Sequence, residues 1–178
     1  VWLGRRNGIP FPERVAGSSL LLRLAAGTTS RPLRVHFLGG EPGVAERATL
    51  RLPEIGGGLV SAGWTDPGFG SIESMSSAQY LERINNSGAD LLVLALGAKK
   101  GHEWIARNRD RVNVPVISHL GATVNFIAGT VERAPAWVQN SGLEWTWRIL
   151  QEPKLLRRYW TDGLIFLQML RQHTTDAG

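Results

Sequence analysis

The chain has no cysteine among its 178 residues. Disulfides and thiolate metal sites are therefore excluded together, which suits a reducing compartment. It has no pair of aspartates separated by one residue, and its four histidines are scattered. A divalent cation gripped by a compact carboxylate or imidazole set is not expected, and no organic cofactor is called for. Long apolar runs are missing too: the longest, Leu164–Leu170, falls well short of the roughly 18 residues that would cross a bilayer. Any membrane contact is expected to be peripheral. Acidic residues are scarce at the front of the chain, where Glu13 alone faces Arg5, Arg6, Arg14, Arg23, Arg31 and Arg34. That segment can account for the whole formal net charge of +5, and such a surface attracts phosphates, nucleic acid or an anionic bilayer.

The most informative stretch is Asp90–Trp104, DLLVLALGAKKGHEW. Leu91–Leu96 is apolar at every position, as in a strand buried on both faces of a helix-covered parallel sheet. At Gly97 it breaks into a small basic loop with Lys99, Lys100 and His102, and a helix is expected from Glu103 to Arg111. In open α/β sheets ligands bind beyond the carboxyl ends of the strands, where a glycine lets main chain approach a phosphate. An anionic ligand follows from this. The spacing matches no phosphate-loop pattern, and solvated lysines on an ordinary turn are the competing explanation.

The remaining chain up to Gly121 alternates in the same manner. SSLLLRLAAG reads as a helix capped by Ser18 or Ser19 and ended by Gly27, with Arg14 just ahead of it. An arginine there can hold a phosphate together with free helix N–H groups, although a solvated arginine is the commoner case. Leu33–Leu38 is the next strand, and Gly39-Gly40-Glu41-Pro42-Gly43 leads into a helix near Val44 without the full dinucleotide glycine spacing. Leu59–Gly63 is a short strand, Trp64–Gly70 a loop, Ser76–Asn86 a helix with Tyr80, Leu81 and Ile84 on its apolar side, and Val114–Leu120 another buried strand. Alternation at these intervals predicts an α/β domain with a largely parallel sheet. Right-handed crossovers would bring Gly39-Gly40, Gly97 to Lys100 and Gly121 to one sheet edge. An N-terminal portion is expected ahead of Val1, because the sequence opens in mid-phrase.

Beyond Gly121 the chain becomes dense in tryptophan and arginine, and three short helices are expected at Pro135–Gln139, Leu143–Gln151 and from Pro153 onward. The phrases ERVAGS, LGAKKGHEWIARN, HLGATVNFIAGTVERAPAWVQNSGLEWTWRILQEP and RRYW occur in this order. Together they resemble the WecG/TagA/CpsF family of bacterial glycosyltransferases over essentially the whole chain. The resemblance implies a Rossmann-like α/β catalytic domain over residues 1–130 and a C-terminal helical appendage over residues 131–178. It implies an inverting, metal-independent transfer of N-acetylmannosamine or a related hexose from a UDP-sugar to a polyprenyl-diphosphate-linked acceptor. The partners implied are that donor, that acceptor and the inner face of the cytoplasmic membrane, in the service of cell-surface polysaccharide synthesis. Self-association is left open.

Such chemistry needs a base at the attacking hydroxyl and positive stabilisation of the departing diphosphate. The second task falls to Arg14, Gly39, Gly40, Gly97, Lys99, Lys100, Gly121, Asn125, Arg133, Arg148, Arg157 and Arg158, the last two beside Tyr159 and Trp160 where a basic helix face could also meet an anionic bilayer. Three departures from the family pattern stand out. Gly101 and His102 replace a glutamine and glutamate, leaving His102 or Lys99 as substitutes; Asn125 replaces an aspartate; and the aspartate expected as base falls upstream of Val1. Arg14 and His102 are the catalytic candidates that remain. The departures keep a second reading in view, a nucleotide-sugar-binding protein without turnover. An RNA-binding domain ranks below both, and no nucleic acid partner is expected.

Overall fold

The computed structural model describes residues 17–27, 29–132 and 144–151, together with Gly8, Ala134, Pro135 and Val138. By their contacts the residues divide into Val1–Thr130 and Val131–Gly178. In the first unit α1 (Gly17–Ala25) precedes β1 (Leu33–Gly39), α2 (Val44–Ile55), β2 (Leu59–Thr65), a 3-10 turn (Ser74–Ser76), α3 (Ala78–Asn86), β3 (Leu91–Ala95), α4 (Ala98–Asn108), β4 (Val116–His119) and α5 (Gly121–Ala128). The four strands are all parallel, in the order β2-β1-β3-β4. This is the expected Rossmann-like α/β arrangement. In the second unit α6 (Glu144–Gln151) is described, and the Gln151 amide brackets the Glu132 main chain, accepting from its N–H and donating to its carbonyl, both at 3.0 Å. Of the helix expected at Pro135–Gln139, Pro135 and Val138 are described, the Val138 N–H donating to the Pro135 carbonyl at 2.9 Å; the rest of it, and the helix expected beyond Pro153, lie outside the described residues.

Strand periodicity separates the two cores. On β1, Val35 and Phe37 face one side while His36 and Leu38 face the other; on β3, Leu91 and Val93 oppose Leu92 and Leu94 in the same way. The first side is closed by α1, α2 and α5 through Leu21, Ala25, Ala48, Leu52, Val124 and Ile127. The second is closed by α3, α4 and the 3-10 turn through Met75, Leu81, Ile84 and Trp104. Trp104 is fully buried, and its indole N–H donates to the Met75 carbonyl at 3.1 Å, so the largest core side chain also leaves no polar atom stranded.

Three boundaries differ from the sequence expectation, each for a tertiary reason. β2 runs on through Trp64 and Thr65, because these residues pair with Phe37 and Leu38 of β1. Helix α4 starts at Ala98, so Lys99, Lys100 and His102 are helical rather than looped, with the Gly101 N–H already donating to the Gly97 carbonyl at 2.8 Å. Helix α5, not expected from the sequence, forms over Gly121–Ala128 because its buried Val124, Ile127 and Ala128 cover α2 and β3. Pro115 lacks an N–H for the ladder, and β4 begins one residue after it.

At the opposite edge of the sheet, Asp90 accepts from both Arg31 amino groups at 2.9 and 2.8 Å and from the Arg34 N–H at 2.8 Å. The hydrogen bond from Arg31, with that from the Arg34 main chain, holds the Asp90 carboxyl well below the usual carboxylate range. The charge cluster thus ties the loop before β1 to the start of β3. Deeper in the sheet His36 is buried, with Nε2 2.9 Å from the Thr65 hydroxyl and Nδ1 without a hydrogen-bond partner among the described residues. Burial pushes its pKa down to about 4; the main chain at Ala62 pulls the other way and the charge of Arg83 adds to the depression.

The sign of that shift fixes an acid dependence. The unfolded histidine binds a proton below pH about 6.5 while the folded one resists until about pH 4, so stability is complete above the higher value and declines between the two. Over that window wild-type protein is expected to lose up to roughly 3 kcal/mol. Urea titrations at pH 7 and 4.5 check this, with His36→Gln as the comparison. A wild-type loss no greater than that of the variant contradicts the assignment. The Asp90 cluster carries the same direction at lower pH, where its carboxylate is protonated only below the unfolded value.

Candidate functional site

All four strands point their carboxyl ends the same way, so the loops that follow them share one edge. The order β2-β1-β3-β4 makes that edge uneven. From β1 the chain turns into α2 on one face, and from β3 it turns into α4 on the other. Between the ends of β1 and β3 the two connections diverge, and a crevice opens at this topological switch point.

Glycine lines it. Gly39 ends β1 opposite Ala95, with φ +81°, and a Cβ there would collide with the Leu96 side chain. Gly40 follows, with space for a Cβ bounded by Val44 and Ala95. Gly97, at φ +77°, turns the chain from β3 into α4, and nothing stands against it. Gly121 opens α5 so close to β3 that an added Cβ would lie 3.2 Å from the Ala95 Cα. The four glycines expected to bind substrate are therefore gathered around the end of β3. Gly17, at the start of α1, reaches the same edge by packing on Leu120. The starts of α1, α2, α4 and α5 converge there, each with main-chain N–H groups that no preceding helical turn can satisfy.

The charged candidates divide. Lys99 has a side chain 90 % exposed, with Glu103 at 4.0 Å as its ion-pair partner among the described residues. Lys100 is engaged: its ammonium donates to the Gly70 carbonyl at 2.9 Å and ties the Asp66–Ser71 loop to α4. That loop carries Phe69, 78 % exposed. His102 is exposed on the second turn of α4. Asn125 is partly buried one helical turn beyond Gly121. Arg14, Arg133, Arg157 and Arg158 lie outside the described residues, as does the side chain of Arg148.

A residue that the sequence reading passed over stands in this group. His119 ends β4 opposite Leu94, and its ring meets that of His102 edge to face, with centroids 5.7 Å apart. Burial, and then the proximity of His102, lower its pKa, while the main chain at Gly97 opposes them. Its Nε2 is buried without a hydrogen-bond partner among the described residues. The signal in the sequence was a repeated pair: Leu38-Gly39, Leu96-Gly97 and Leu120-Gly121 lie at the end of a strand or just beyond it, and His119 precedes the third.

Among the described residues no group of three or more His, Asp or Glu side chains is placed to hold a metal ion, and no helix is long and apolar enough to cross a membrane. The edge presents main-chain amides at the helix starts with Lys99, His102 and Asn125 beside them, a composition suited to a phosphorylated ligand. The sequence matches the model of the glycosyl transferase WecG/TagA/CpsF family over residues 1–177. With that coverage, the chain belongs to the WecG/TagA/CpsF family of glycosyltransferases.

Proposed function

We propose that the protein transfers a hexose, N-acetylmannosamine or a close relative, from a UDP-sugar to a polyprenyl-diphosphate-linked acceptor in cell-surface polysaccharide synthesis. The observation that carries this reading is the convergence of Gly39, Gly40, Gly97 and Gly121 at the β1/β3 switch point of a chain with this family membership. Small residues there let a diphosphate approach the free N–H groups at the starts of α2 and α4. Negative charge grows on the diphosphate as the glycosidic bond breaks, so donors fixed in advance favour the transition state over the ground state. Lys99 adds an exposed positive charge to the same edge.

The donor site belongs to the unit Val1–Thr130. For residues 131–178 we infer a role at the acceptor and the membrane. Arg133, Arg148, Arg157 and Arg158 supply charge for a second diphosphate, and Tyr159 and Trp160 suit the interface of an anionic bilayer on the cytoplasmic side. Inversion, without a metal, follows from a single displacement in which main-chain amides and basic side chains do what a cation does elsewhere. Arg14 remains a candidate for the departing phosphate and His102 for the proton. The second reading, binding without turnover, is favoured by Asn125 standing where a carboxylate is expected and by Gly101 where a glutamine is.

Calorimetry with UDP and UDP-N-acetylmannosamine, alongside radiolabel transfer to a polyprenyl-diphosphate-linked sugar, tests the proposal. Micromolar binding with transfer is expected; binding with no transfer selects the second reading, and no binding removes both. The two lysines should separate. Lys99→Ala is expected to weaken UDP binding about threefold to tenfold and to flatten its salt dependence without changing the melting temperature. Lys100→Ala is expected to increase proteolytic nicking in the Asp66–Ser71 loop, since it releases the Gly70 carbonyl. Identical behaviour of the two variants would contradict this division. Deleting residues 154–178 is expected to abolish transfer and weaken liposome binding while leaving UDP affinity within about twofold; retained transfer excludes the appendage from the reaction.

A further inference from the structure

His119 and Gly101 compete for one space. Gly101 lies inside α4, where glycine is otherwise a poor choice, costing about 1 kcal/mol relative to alanine. It is buried, and a Cβ added to it would run into the His119 ring, colliding with Cδ2 and lying 2.8 Å from Nε2 and 2.9 Å from Cγ. The imidazole therefore sits in the notch that the missing side chain leaves. The other side of the ring is near Gly121, whose added Cβ would be 3.7 Å from Nε2. The main chain at Gly97, the turn that precedes α4, is close enough to the ring to oppose the lowering of its pKa. One side chain from β4 thus fills a notch in the first turns of α4 and lies beside the turn after β3 and the opening of α5.

Resting on the donor reading above, we propose that His119 is a positioning residue for the nucleotide diphosphate and that Gly101 is the socket that admits its ring. The side chain acts through main chain. It fixes the height and tilt at which α4 presents the N–H groups of Ala98, Lys99 and Lys100, none of which has a carbonyl partner four residues earlier within the helix. It also sets the gap between α4 and α5, across which Gly97 and Gly121 face the end of β3. A small displacement there has large consequences, because preorganised donors are effective only when held close to the position of the developing charge. Burial, and then the neighbouring His102 ring with its centroid 5.7 Å away, both disfavour a proton on the His119 ring.

The experiment measures UDP affinity by calorimetry and melting temperature on the full chain carrying Gly101→Ala, His119→Ala, both together, His119→Leu and His119→Gln. Gly101→Ala is expected to weaken UDP binding tenfold or more, because the methyl group evicts the ring. In the His119→Ala background the same change should alter affinity less than twofold, since the collision is gone. His119→Leu keeps most of the volume but carries no ring nitrogen to face the polar main chain at Gly97. It should melt within a few degrees of wild type and bind UDP at least fivefold more weakly, whereas His119→Gln should recover affinity to within threefold. Wild-type affinity in His119→Leu reduces the ring to packing and overturns the positioning role. Wild-type affinity and melting in Gly101→Ala overturn the socket. Absence of UDP binding by the wild-type chain overturns the donor reading and this proposal with it, an outcome distinct from binding that the variants leave unchanged.

Discussion

Two adjacent parallel strands that send their chains to opposite faces of a sheet cannot close the gap between their ends. Here those strands are β1 and β3, and the divergence of α2 from α4 follows from the order β2-β1-β3-β4. The gap is a consequence of burying both faces of the sheet at once, as the apolar runs of β1 and β3 require. The core therefore produces the crevice. Filling it with side chains would undo the site, and the residues at its rim are accordingly glycines at Gly39, Gly40, Gly97 and Gly121.

A rim of glycine gives close approach but little charge of its own. The helix starts supply partial positive charge from main-chain N–H groups, which cost no reorganisation when a phosphate arrives. Lysine supplies the rest in two different manners. Lys100 is committed to the Gly70 carbonyl and shapes a wall, while Lys99 keeps its side chain in solvent. Adjacent residues on one helix thus divide structure from recognition, because successive positions on a helix point about 100° apart.

The sheet was legible because its central strands β1 and β3 are buried on both faces, whereas β4, expected to be buried, is an edge strand with Val116 exposed. Leu91–Leu96 can hardly be solvated, and the short spacing between such runs leaves room for one crossover helix each, so the parallel arrangement and the shared edge both follow from pattern. Helix starts were not legible for a related reason. Neither Gly97 nor Leu120 offers a capping side chain, so the sequence holds no local mark for α4 or α5. Gly101 even argues against a helix until the His119 ring is seen to occupy the space beside it. For α5, Thr123 and Val124 suggest a strand in isolation, and burial against α2 and β3 decides otherwise. Propensity is worth tenths of a kcal/mol at each position, and packing outweighs it.

Two histidines, His36 buried and His119 partly buried, separate stability from function within one sheet face. His36 and His119 both stand on the side covered by α3 and α4, and burial is the leading cause of a lowered pKa in each. His36 lies two residues before Leu38, with its hydrogen bond turned sideways to Thr65 of the neighbouring strand. Its work ends within the sheet. His119 is the last residue of its strand, with no strand residue beyond it to cover the ring, so its contacts fall on the turn and helices that frame the crevice. The same side chain serves the core when it sits fully buried inside the sheet, and addresses the ligand edge when it sits partly buried at the end. Position along the strand, rather than residue type, decides which group can influence a bound diphosphate.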